Sequence, residues 1–191
     1  MTKGRVEAFT DGVLAIVITI MVLDLEVPDS AGIHDFLKIA PDIFAYLLSF
    51  VNIGIFWNNH HHMMHASERV DGRVLWANLF LLFWLSLVPF VVRWIDVSHA
   101  PPLPTAAYGV VLGMASIGYL GVERALIACN GPGSTLAMAV GDDRKALIST
   151  LGYAAATLLA FVDRWLAIGL YIAIALMWFV PDRRIESGLK A

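Results

Sequence analysis

At 191 residues, 59% hydrophobic and only 15% charged, with a mean hydropathy of +0.72, this chain falls well short of the roughly one-quarter charged residues of a soluble domain. The composition excludes a soluble globular enzyme and predicts a single domain spanning 1–191, an all-α integral membrane protein. A net charge of −3 with no basic tract excludes a nucleic-acid partner, and a single cysteine, Cys129, excludes an intrachain disulfide.

Six stretches carry the ~20 mostly apolar residues that a bilayer-crossing helix needs. The first runs from Val6 to Val27. Lys3 and Arg5 ahead of the apolar run Gly12 to Leu23 resemble a signal peptide, but Glu7 and Asp11 interrupt the transition and no A-x-A site follows. The second runs from Pro41 to Met64. The third, Val74 to Ile95, contains Asn78 and Pro89. The fourth, Thr105 to Ala128, follows the breaker "APPLP". The fifth, Ala146 to Val162, and the sixth, Trp165 to Val180, are short and separated by "DR", which predicts a tight hairpin; Pro181 ends the last. The fourth also carries Gly109 and Gly113, then Gly118 and Gly121, small residues expected to let helices of one subunit pack closely.

Six spans place both termini on one side, and the basic residues divide accordingly. Lys3, Arg5, Arg69, Arg73, Arg124, Arg144, Lys145, Arg183, Arg184 and Lys190 share the side of the termini; Lys38, Arg93 and Arg164 lie opposite. The positive-inside rule then predicts cytoplasmic termini and a multi-pass protein of the cell membrane. The first outer loop is acidic, with Asp24, Glu26, Asp29, Asp35 and Asp42 against Lys38.

On a helical wheel at about 100° per residue, Gly12, Ile16, Ile20 and Leu23 form one narrow apolar line, with Thr19 at its edge. Asp11 falls about 140° from Ile16, so it is expected to point into the subunit. There it would act as a polar lock, satisfied by a histidine or asparagine of another helix, with Thr10 in the same network; a carboxylate facing lipid costs several kcal/mol. Ordinary helix packing also accounts for the apolar line when that line is taken alone.

The sequence "RVEAFTDGVLAIVITIMVL" resembles the first helix of the transmembrane protein 175 family, the endolysosomal potassium channels and their prokaryotic homologues. Arg5, Phe9 and Asp11 match the family's arginine and Phe-Ser-Asp signature, and Thr10 keeps the hydroxyl where serine is usual. "FWNNHHHMM" is similar to the family's Trp-x-x-His pattern. The resemblance implies a homotetramer of six-helix subunits without a pore loop, conducting potassium through a pore lined by the four first helices. It implies that Ile16 forms the constriction, that Thr19, Ile20 and Leu23 lie along the pore, and that Arg5, Phe9, Thr10 and Asp11 join His60, His61 and Asn78 in a network holding the pore helix. No cofactor is implied beyond permeant potassium. Asp24 and Glu26, at the outer end of that helix, would enrich cations.

Other motifs carry less. "TLGYA" (Thr150 to Ala154) imitates a carbonyl selectivity filter but lies inside an apolar helix with no room for a pore loop. "HHHMMH" (His60 to His65) spaces His61 and His65 on one helical face, yet no carboxylate or cysteine completes a metal site, and none is expected. The six tryptophans suit interfacial anchoring. No catalytic constellation, P-loop or dinucleotide motif appears, so no enzyme is expected. Two alternatives to a channel remain: a proton-coupled transporter using Asp11 with a second-helix histidine, and a non-conducting metal sensor or scaffold built on the histidines.

Overall fold

The first apolar stretch folds as one helix, α1 (Lys3–Leu23), in a computed structural model that describes residues 2–28, 30–98, 101–140 and 144–179. At ~1.5 Å per residue its 21 residues are about 32 Å long, the thickness of a bilayer core. The other helices among the described residues are α2 (Ile33–Lys38), α3 (Ala40–His65), α4 (Gly72–Ser86), α5 (Val88–Val97), α6 (Pro102–Asn130), α7 (Thr135–Val140), α8 (Arg144–Leu159) and α9 (Arg164–Phe179). Asp29 of the acidic loop, Val180 and Pro181 at the end of the sixth stretch, and the basic residues Arg183, Arg184 and Lys190 lie outside the described residues.

Four segments are long and apolar enough to cross a membrane: α1, α3, α4 with α5 (Gly72–Val97), and α6. The fifth and sixth stretches fold as α8 and α9, apolar helices of 16 residues each. Three departures from the sequence expectation have local causes. α1 stops at Leu23, four residues early, where Asp24 caps it and a turn leads on toward Pro28. The third stretch breaks at Leu87, because Pro89 has no N–H and its ring crowds the carbonyl of Leu85. The loops are also less irregular than expected: α2 and α7 are helices of six residues each, too brief for a periodicity signal.

Caps and cross-links fix the two ends of the bundle. Asp71 caps α4, accepting from the backbone N–H groups of Arg73 and Val74 at 2.9 and 3.1 Å. Those donors and the Arg73 guanidinium hold its carboxyl below the ordinary carboxylate range, as the Lys38 ammonium and the Ser30 hydroxyl do for Asp35. At the same end as Asp71, Lys3 Nζ donates to the Ser67 carbonyl at 3.0 Å. Asn130, closing α6, accepts from the N–H groups of Glu68 and Arg69.

α6 is the central pillar, packed between α4 and α8, while α1 lies outside it against α3, α4 and α5. The small residues of α6 serve contacts within the subunit, as expected. A Cβ on Gly118 would meet the Leu81 backbone Cα at 2.9 Å, and one on Gly109 would collide with the hydroxyls of Tyr171 and Thr157. Further polar links tie α3 to α6 and α8: the Tyr108 hydroxyl lies 3.1 Å from Ser49 Oγ, and Tyr153 donates to Asn52 Oδ1 at 3.3 Å.

Candidate functional site: the first helix and its polar anchor

α1 is two-faced. Val6, Thr10, Leu14, Val17 and Met21 recur at i+3 and i+4 and are buried against α3, α4 and α5. The opposite line is uncovered: Ile16 is 60% exposed, Ile20 45% and Leu23 82%, with Gly12 and Thr19 also open. A membrane helix spends its apolar surface on lipid or on other helices. Here the buried face is the one carrying a polar residue, Thr10, and the free face carries the apolar line.

Thr10 is fully buried. Asn78 Nδ2 on α4 donates to its Oγ1 at 2.9 Å, and the Asn78 Oδ1 lies 2.9 Å from Nε2 of buried His60 on α3. With the amide so oriented, the carbonyl oxygen only accepts, so His60 carries its proton on Nε2. Three helices therefore meet at one polar chain, Thr10–Asn78–His60, in an otherwise apolar layer. The groups satisfy one another, which a low-dielectric surrounding makes obligatory.

The rest of the expected network divides differently. Asp11 does not point into the subunit: its side chain is exposed on the flank of α1, where its Oδ1 accepts from Trp57 Nε1 at 2.8 Å. The wheel placed Asp11 away from Ile16, but it could not say on which flank α3 would pack, and the buried polar residue is Thr10. Phe9, 51% exposed, and Arg5, also exposed, lie beside the free line and not in the polar chain. His61 is likewise outside it. Its ring stacks at 6.0 Å on Trp57 and 5.9 Å on His65, both at 22°. Trp57 was missed as a partner for Asp11, although its i, i+4, i+8 spacing with His61 and His65 marks one exposed stripe of α3. Among the described residues no three His, Cys, Asp or Glu side chains converge as a metal-ligand set. The hydrogen bond of Asp11 goes to Trp57, and that of His60 to Asn78, so neither bond joins Asp11 to a histidine.

Thr19 donates its hydroxyl hydrogen back to its own helix, 2.9 Å from the Ala15 carbonyl and 3.0 Å from that of Ile16. Its oxygen lone pairs are thereby left facing outward beside Ile16 and Ile20. At the far end of α1 the acidic group is partly neutralised. Arg93 of α5 bonds Asp96 at 2.7 Å, reaches the Asp24 carbonyl at 3.3 Å and lies 3.6 Å from Glu26. The expected cation-attracting charge of Asp24 and Glu26 is thus opposed by a guanidinium that the sequence put at this end but did not pair with these carboxylates.

Comparison with known proteins gives this architecture a context. A family model described as the endosomal/lysosomal potassium channel TMEM175 matches residues 5–89. A potassium channel of Chryseobacterium sp. (strain P1-3) is 47% identical over 190 residues, covering 100% of this chain and 99% of that protein. The chain belongs to the TMEM175 family. A crystal structure of a lysosomal potassium-selective channel TMEM175 homolog from Chamaesiphon minutus superposes with a TM-score of 0.74 at 25% identity, covering 94% of this chain and 97% of that one. The endosomal/lysosomal proton channel TMEM175 of Danio rerio is 32% identical over 114 residues, 53% of this chain and 21% of that protein. The all-helical fold is that of a TMEM175 channel, and the chain is a multi-pass membrane protein. These TMEM175 relatives are ion channels, not enzymes.

Proposed function

We propose that this protein is a potassium-permeable, potassium-selective channel of the cell membrane, a homotetramer whose pore is lined by α1. The observation that carries the reading is the division of α1 into a face locked to α3 and α4 through Thr10 and a free face bearing Ile16, Thr19, Ile20 and Leu23. Four copies of an uncovered apolar line, brought together, make a narrow pore whose tightest ring is Ile16. A ring of large apolar side chains gates by dewetting. Thr19, its lone pairs turned outward, offers dehydrating cations their nearest oxygens. In this reading residues 1–191 act as one six-helix unit, with α8 and α9 as its last two spans, cytoplasmic termini and no pore loop. Potassium is the cargo, and no cofactor is needed.

Support comes from the potassium-channel relative that matches at full chain length and from the fold shared with a potassium-selective homologue. The hydrogen bond of Asp11 to Trp57, not to a histidine, favours the channel over the coupled transporter. The deciding experiment is tracer flux from liposomes holding the purified protein. Potassium efflux without a co-ion, faster than sodium efflux, is the expected result. Potassium movement only when a proton gradient is imposed would reverse the conclusion in favour of coupled transport.

A further inference from the structure

Away from α1, a cavity of about 750 Å³ opens at the end of the bundle that carries Arg93, walled by α3, α5, α6 and α9. Its sides are mostly apolar: Phe44, Leu48, Val92, Ile95, Trp165 and Ile168. The polar groups at its floor have partners inside the protein. Ser49 Oγ donates to the Ala45 carbonyl at 2.8 Å and lies 3.1 Å from the Tyr108 hydroxyl. The Thr105 hydroxyl donates to the Pro101 carbonyl at 3.1 Å, and the Tyr171 hydroxyl to the Thr105 carbonyl at 2.9 Å. What fills the depth therefore needs no polar group of its own.

The rim is charged, and its charges answer one another. Asp35 is paired with Lys38 at 2.6 Å, and Arg93 binds Asp96 at 2.7 Å and lies 3.6 Å from Glu26. The Asp42 carboxyl is hydrogen-bonded to Asp96, and Arg164 lies over the Trp165 ring at 5.2 Å. A charged ligand would gain no partner in the depth and would have to break an existing pair at the rim. The depth itself is a second constraint. From Pro41 at the rim to Ser49 at the floor, the α3 wall descends about 12 Å at ~1.5 Å per residue. That is close to one leaflet of a bilayer core about 30 Å thick. Phe44, Val97 and Trp165 line the cavity and are also exposed, so its apolar wall continues onto the outside of the bundle, where a chain can enter from the bilayer. Water in the depth would leave the apolar walls wet, whereas an alkyl chain covers them. We infer that one acyl chain of a bilayer lipid occupies this cavity, running down between α3, α5 and α9 with its headgroup at the rim. The site is separate from the α1 line, so it stands whether or not α1 lines a pore.

The test is photolabelling of the full-length protein in nanodiscs of phosphatidylcholine that carries a diazirine in one acyl chain, with adducts mapped by peptide mass spectrometry. Adducts are expected on Val92 and Ile95 of the cavity wall, besides those on outward residues such as exposed Leu158. Ile168→Trp and Leu48→Trp fill the cavity from different walls. Each should abolish labelling at Val92 and Ile95 while Leu158 is labelled as before, and the variant that keeps the wild-type thermal midpoint supplies the comparison. A short diazirine alcohol, added to discs of unlabelled lipid, is the second probe. Adducts confined to outward residues would overturn the assignment, as would labelling of Val92 and Ile95 that survives both substitutions. Labelling there by the alcohol and not by the lipid would also overturn it, and would give the cavity to a soluble hydrophobe.

Discussion

Asn78 donates a hydrogen bond across 2.9 Å to the Thr10 hydroxyl, and this bond fixes the rotation of α1 about its own axis. A helix held otherwise by apolar side chains can turn by tens of degrees at little cost, because one aliphatic contact replaces another. A buried donor cannot move without losing its acceptor. Thr10→Val keeps the shape and removes the acceptor, leaving the Asn78 amide N–H unpaired in an apolar layer. The expected cost is about 1–3 kcal/mol, seen as a lower thermal midpoint and a smaller fraction of the proposed tetramer on size exclusion. Thr10→Ser should restore both. Asp11→Asn should do less harm than Thr10→Val, because its side chain is exposed and the amide oxygen still accepts from Trp57. If Asp11→Asn proves the more damaging of the two, Thr10 is not the anchor.

Much of this site was legible in the sequence, and the limits have physical causes. The apolar line from Gly12 to Leu23 follows from helical phase alone, and α1 indeed leaves that line uncovered. The meeting of Thr10, His60 and Asn78 was legible only through family resemblance, since 18 residues separate His60 from Asn78 and 68 separate Asn78 from Thr10. Asp11 was misplaced because a wheel gives angles between residues of one helix and not the direction from which a neighbour approaches. Pro89 was visible in the sequence, yet a proline can kink a span or break it, and here it breaks one at Leu87. Arg93 was assigned to the correct end but not to Glu26 and Asp96, because its reach depends on how α5 leaves that break.

The proposed constriction is tested by Ile16→Asn. An amide at the narrowest ring holds water where isoleucine excludes it, which lowers the dewetting barrier. Single-channel conductance should rise several-fold, and the reversal potential under potassium–sodium gradients should move toward that of an unselective cation pore. Because Ile16 is uncovered within the subunit, thermal stability of the monomer should barely change. Unaltered conductance and selectivity would take Ile16 out of the pore.

Asp71 gives a pH signature to the end of the bundle at which α4 begins. Its carboxyl is held below the ordinary carboxylate range chiefly by the Val74 N–H, helped by Arg73. A depressed folded-state pKa means that the cap's electrostatic contribution is fully present above the unfolded-state value and is lost as pH falls through the folded one. Asp71→Asn retains a capping oxygen but cannot titrate. Its unfolding midpoint should lie below the wild type's near neutrality, and the two should converge as pH falls below about 4, because only the wild type loses the carboxylate's contribution there. Parallel acid profiles for the two proteins would mean that this carboxyl contributes nothing to the acid response.

Arg93 sets the charge at the Leu23 end of α1, the outer end in the proposed orientation. It binds Asp96 at 2.7 Å and lies 3.6 Å from Glu26, so it cancels part of the field that Asp24 and Glu26 would otherwise present to cations. Arg93→Gln removes a positive charge while keeping a side chain able to hydrogen-bond the Asp24 carbonyl. Local cation concentration should rise, and inward potassium current with it, by up to a few-fold at low ionic strength. Screening supplies the control. The Debye length is ~30 Å at 0.01 M and ~10 Å at 0.1 M salt, so the gain should shrink as salt increases. The measurement is conductance against potassium concentration in planar bilayers of neutral lipid. A variant whose conductance falls, or whose gain is the same at every salt concentration, would show that Arg93 acts through structure and not through its field.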